Sequence, residues 1–181
     1  FLLSKKPPSP INEELSQSRA RVLISIASLV IFSGVGFIVG SHNINNFTNG
    51  LMVISAYLVF SVTWYYLVKC RPIGSNFRRT VSLVADIGIM TAFMHLGDKL
   101  VAGYYPLFLW IIIGNGIRFG EKSLVRGIII GIFGFSSVLV FSPFWQSNIE
   151  IGLGLMVGVI ILPLFFLGVL KRLKAVHQLQ I

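Results

Sequence analysis

Residues 151–170 read IGLGLMVGVIILPLFFLGVL, twenty positions without a charge or a hydrogen-bonding side chain. As a helix they rise about 1.5 Å per residue and cover about 30 Å, the thickness of the hydrocarbon core of a bilayer. Lys171-Arg172-Leu173-Lys174 follow at once, as cations do where a span leaves the membrane on the cytoplasmic side. The stretch reads as a transmembrane helix, and it frames the reading of everything before it.

Five more apolar windows precede it, at about Arg21–Gly40, Phe47–Val68, Val81–Gly97, Tyr104–Arg118 and Gly127–Phe141. Over the 181 residues, 55% are apolar and 12% charged, with a mean hydropathy of +0.84. Soluble domains are about 45–50% apolar and about 25% charged, so a water-soluble enzyme with one core is excluded. The formal charge of +9 is explained by orientation in the membrane rather than by nucleic acid. With the N-terminus in the cytoplasm, fourteen of the fifteen Lys and Arg residues fall on that side and Lys99 alone falls outside. That asymmetry is what the positive-inside rule asks of short loops, and a five-span division destroys it.

The expected fold is therefore all-α, a polytopic helical bundle of six transmembrane helices with both termini cytoplasmic. A tail and short polar helix (1–20, with Ser9 as N-cap and Pro10 at the first turn) precede the six-helix transmembrane domain (21–170), and residues 171–181 begin a cytoplasmic signalling helix. Trp64, Tyr65 and Tyr66 are headgroup-level anchors. The chain opens on Phe1 and stops within a helical pattern at Ile181, so it is expected to be part of a longer protein.

Chemistry is sparse. Cys70 has no partner for a disulfide, and His42, His95 and His177 are scattered, so no nucleophile–base pair or metal-ligand set emerges; no catalytic residue and no resident cofactor or metal is expected in this chain. Asp86 is the sharpest feature, because a carboxylate inside a span is costly unless paired or wetted. In an antiparallel hairpin of spans 3 and 4 turning near Val101, position 86 is level with 116, which makes Asn115 and Arg118 its expected partners. Such a pair either pins two short helices or works as a ligand-responsive switch. His95 lies on the opposite face of span 3. Gly114-Asn115-Gly116 permits either a local break or close helix packing. After Pro163 the apolar pattern runs on through Leu173 and Val176, a helix suited to passing position beyond the membrane.

Arg71-Pro72, Arg78-Arg79, Asp86, Trp110 before Gly114-Asn115-Gly116-Ile117-Arg118-Phe119-Gly120, Ser142-Pro143-Phe144-Trp145 and Pro163 together resemble the membrane input region of the RpfC-type hybrid sensor histidine kinases, over about residues 70–176. The resemblance implies a multi-pass receptor of the bacterial inner membrane. Its signal would be a cis-2-unsaturated fatty acid of the diffusible-signal-factor type, used in quorum sensing. It also implies a homodimer, a kinase core using ATP and Mg, and downstream response-regulator and phosphotransfer domains. His177 lacks the Glu-x-Arg-Thr-Pro context of a phosphoacceptor. Asp86, Asn115, Arg118, Trp110 and His95 are the ligand or switch candidates, and Pro163, Leu173 and Val176 the transmission candidates. A small transporter or channel using Asp86, or a structural membrane subunit, are the other readings.

Overall fold

The computed structural model describes residues 10–39, 44–71, 75–96 and 101–178. Seven helices follow one another in the described residues: α1 (Pro10–Val39), α2 (Ile44–Cys70), α3 (Asn76–Leu96), α4 (Tyr105–Phe119), α5 (Glu121–Phe141), α6 (Pro143–Ser147) and α7 (Ile149–Gln178). The expectations placed on Ser9 and the tail before it, on His42, Pro72 and Lys99, and on the last three residues lie outside the described residues.

Burial in this bundle is inverted relative to a soluble protein. Phe37, Ile38, Phe133 and Phe165 are exposed, while Glu14, Arg21, Ser25, Ser61, Asp86 and Asn115 are buried. Apolar side chains cost nothing against lipid, and polar groups must find partners inside. Among the described residues, four helices are long and apolar enough to cross a membrane: Asn12–Ile38, Phe47–Cys70, Glu121–Phe141 and Ile149–Val176. Of the six expected crossings, the third and fourth do not meet that measure. Helix α3 carries Arg78, Arg79 and Asp86, and α4 has 15 residues, short of the roughly 17–25 that a span needs.

Helix α1 packs along α2 and α2 on α3, while α3, α4, α5 and α7 form the other body of the bundle. Its core is aromatic: Phe108, Phe135 and Trp145 stack edge to face. The Ser-Pro-aromatic-Trp corner is the short helix α6, whose Trp145 is buried and donates from Nε1 to the Met94 carbonyl at 3.3 Å.

Helix α4 runs unbroken through Gly114-Asn115-Gly116, so that segment is a packing surface and not a break. A Cβ on Gly116 would come within 2.7 Å of the Leu124 Cβ, which is why glycine stands there. The break falls at Gly120, the one residue between α4 and α5, with φ 85° and ψ −175°. That backbone region belongs almost to glycine alone. Helix α5 consequently begins six residues earlier than the apolar window that located it. Helix α7 is continuous through Pro163 and, with 30 residues, about 45 Å long. It is peripheral, with only 11% of its apolar window buried, and Leu173 and Val176 near its end are exposed.

Candidate functional site

The site is built on the first half of α1. Glu14, Gln17, Ser18, Arg21 and Ser25 recur at helical spacing, so they form one stripe, and that stripe faces inward. Each turn meets a different partner. At the basic end, Glu14 accepts from Arg78 Nε at 2.9 Å and from Arg79 Nε at 2.7 Å, with Arg78 Nη2 also bonded to it. Arg79 lies over the Phe119 ring, 4.9 Å from its centroid. One turn on, Gln17 Nε2 donates to Asn115 Oδ1 at 3.2 Å, while Asn115 Nδ2 donates to the Ile111 carbonyl at 2.9 Å.

The next turn carries Arg21, whose Nε and Nη2 each donate at 2.7 Å to a different oxygen of Asp86. Nη2 also bonds the Ser82 hydroxyl, and Tyr57 donates its hydroxyl to Asp86 Oδ1 at 2.9 Å. A two-pronged pair of this kind is the strongest charge-assisted geometry that a carboxylate offers. With side chains 3% and 6% exposed, it escapes the screening that weakens surface pairs. Ser25 closes the stripe, its hydroxyl 3.2 Å from that of Ser61.

The expected pairing of Asp86 with Arg118 and Asn115 is thus corrected. The level was right, since all three line one cavity, but α1 inserts Arg21 in front of Asp86. Asn115 bonds Gln17 instead, and among the described residues Arg118 makes no ion pair. Sequence reasoning missed Glu14, Gln17, Arg21, Tyr57 and Ser82 as members of the site. The signal for the first three was present in their spacing of three and four residues.

The cavity lies between the α1–α2 hairpin and the α3–α4 edge and is partly open to the outside. Its walls are apolar, from Ile24, Val53, Ile54, Met90, Phe93 and Leu107, and its polar groups gather at the end where Gln17, Arg21, Asp86, Asn115 and Arg118 stand. At the far end the Tyr104 hydroxyl reaches the Ser28 carbonyl at 3.5 Å. Trp110 lines the cavity and is 55% exposed, so it stands at the mouth. His95 is exposed near the end of α3 and takes no part in the lining. Pro163, Leu173 and Val176 are also apart from it, on α7. Among the described residues no three His, Cys, Asp or Glu side chains converge to hold a metal.

These features define an all-helical membrane protein with a charged cluster sealed inside it and an amphipathic cavity beside the cluster. Over 128 residues, 70% of this chain, it is 27% identical to the Sensory/regulatory protein RpfC of Xanthomonas campestris pv. campestris, matched in two strains. The resemblance carried by the motifs therefore extends over most of the chain. The aligned segment is 18% of the length of that relative, so the chain corresponds to a small part of it. No protein-family model and no solved structure matches.

Proposed function

We infer that this chain is the membrane input region of a bacterial two-component sensor histidine kinase, and that it responds to a lipophilic fatty-acid signal of the cis-2-unsaturated type. The observation that carries the reading is the cavity: a long apolar slot, open at Trp110, that ends in Arg118 and Asn115. A fatty acid partitions into the bilayer and enters such a slot sideways, its chain against the apolar walls and its carboxylate at the basic end. The similarity to a protein named sensory and regulatory supports this reading. A transporter using Asp86 is less well supported, because both carboxylate oxygens are already engaged by Arg21 and Tyr57.

In this reading the chain crosses the inner membrane six times with both ends in the cytoplasm, α3 and α4 being the short crossings, and works as a homodimer. Helix α7 passes the signal to a kinase core that uses ATP and Mg and feeds receiver and phosphotransfer domains. Single cysteines at Asn45, Gly103 and Ser147 are then expected to react with an impermeant maleimide in intact cells, and Cys70 is not. Gly103 serves for that loop because Val101 beside it is 1% exposed. Labelling of Cys70 from outside would overturn the six-span arrangement. The kinase assignment is tested by the coding sequence beyond Ile181: a His-Glu-x-Arg-Thr-Pro box within a few tens of residues supports it, and a stop codon there removes it.

A further inference from the structure

A guanidinium has five N–H donors, and Arg21 uses only one edge of its own. The fork of Nε and Nη2 is spent on Asp86 and Ser82, which leaves Nη1 turned away from the carboxylate. Nη1 is buried and, among the described residues, has no hydrogen-bond partner. Arg21 as a whole is 4% exposed. Buried donors are almost always satisfied, and the demand is greater within a membrane, where no bulk water can stand in.

The surroundings of this orphan point to what would satisfy it. Arg21 lines the cavity together with Gln17, Asn115 and Arg118. The charged residues of the lining are Arg21, Arg118 and Asp86; two positive charges against one negative leave the cavity one anion short of neutral. From Gln17 to Ser28 along α1 the slot extends over eleven residues, about 16 Å, between apolar walls.

We propose that Arg21 is the headgroup residue of this cavity: Nη1, with Arg118 and the Asn115 amide, takes the carboxylate of a single-chain anionic amphiphile while Nε and Nη2 keep their hold on Asp86. This rests on the sensory reading above and names the chemistry of its ligand site. The bound carboxylate joins α1, through Arg21, to α4, through Arg118 and Asn115. Ligand binding then tightens the α1–α2 hairpin onto the rest of the bundle, and α1 is the element whose position reports occupancy. No bond is made or broken, and no proton needs to move.

The test uses the full 181-residue chain in phosphatidylcholine nanodiscs, with a chain-brominated dodecanoate as quencher of tryptophan fluorescence. Wild-type protein is expected to show a saturable component that is absent from Trp110→Phe and is displaced by plain dodecanoate but not by its methyl ester. In Arg21→Lys the cation opposite Asp86 is kept and the second prong is lost, so the half-saturation point should rise about tenfold or more at unchanged helicity. Arg118→Gln, which breaks no ion pair, should weaken binding to a similar degree and decides the matter if Arg21→Lys does not fold. Wild-type binding in a folded Arg21→Lys, or in Arg118→Gln, would overturn the headgroup assignment and leave the fatty-acid reading of the cavity standing. Absence of any saturable component in wild type would overturn both. Displacement by phosphatidylglycerol as effective as by dodecanoate would give the site to a bilayer lipid and overturn the single-chain assignment.

Discussion

Replacing Asp86 by alanine is expected to destabilise the chain by about 3–5 kcal/mol, because it strands the Arg21 guanidinium, buried and unpaired, inside the bundle. Arg21→Ala strands the carboxylate and should cost a similar amount, with Tyr57 left donating to an anion that has lost its counter-ion. The pair Arg21→Met with Asp86→Leu removes both charges and keeps apolar volume, so it should recover most of the loss; exchanging a buried ion pair for packed apolar side chains is often neutral or better. Arg118→Ala combined with Asp86→Ala should instead show a much smaller coupling than positions 21 and 86 do, since 86 and 118 face one cavity but share no ion pair. Denaturant-induced unfolding in detergent, followed by helicity, gives these values and that of Arg118→Ala alone. A strong coupling between positions 86 and 118 and none between 21 and 86 would reverse the pairing described above.

The second large effect belongs to α7 and to the full-length protein. Helix α7 is too long for the hydrocarbon core alone, and Leu173 and Val176 are 62% and 56% exposed near its end. An ion pair ties this segment back to the bundle, Lys174 Nζ to Glu121 Oε1 at 3.8 Å with the lysine largely exposed, and holds it weakly. In the proposed homodimer this segment would pair with a second copy of itself along the seam of Leu173 and Val176. One residue inserted after Lys174 turns everything downstream by about 100°, whereas seven return the phase to within about 20°. If the chain feeds a kinase core as proposed, autophosphorylation of the full-length protein is expected to be locked or lost with one to three inserted residues, an order-of-magnitude change in its response, and largely regained with seven. Equal tolerance of every length would make the segment a flexible tether.

The sequence made the helices legible because lipid imposes a simple demand: long apolar runs, broken by cations on one side. It also put Asp86, Asn115 and Arg118 at one level, since hairpin register sets the level of a residue along the membrane normal, and the structure lines one cavity with all three. What it left open was azimuth. Two antiparallel helices make 86 and 118 neighbours in height, but which third helix comes between them depends on how α1 leans on α2 and α3, and no local pattern records that. In the sequence Arg21 stands as a cation at the head of a span, and Glu14 and Gln17 as residues of a short polar helix before it. Their helical spacing was the clue that all three share the inward face. Of the two readings open for the glycines of α4, close packing holds, since Gly116 is small for the sake of Leu124, and the turn falls at Gly120, where the backbone needs a positive φ.

The most direct measurement titrates the full-length protein in phosphatidylcholine nanodiscs with brominated dodecanoate, reading Trp110 quenching and autophosphorylation on the same sample. If the cavity between α1 and α4 is where the signal is received, the two curves share one midpoint, and Arg21→Lys shifts both together by the same factor. A kinase response that proceeds at its wild-type midpoint while Trp110 quenching has moved or vanished would contradict it.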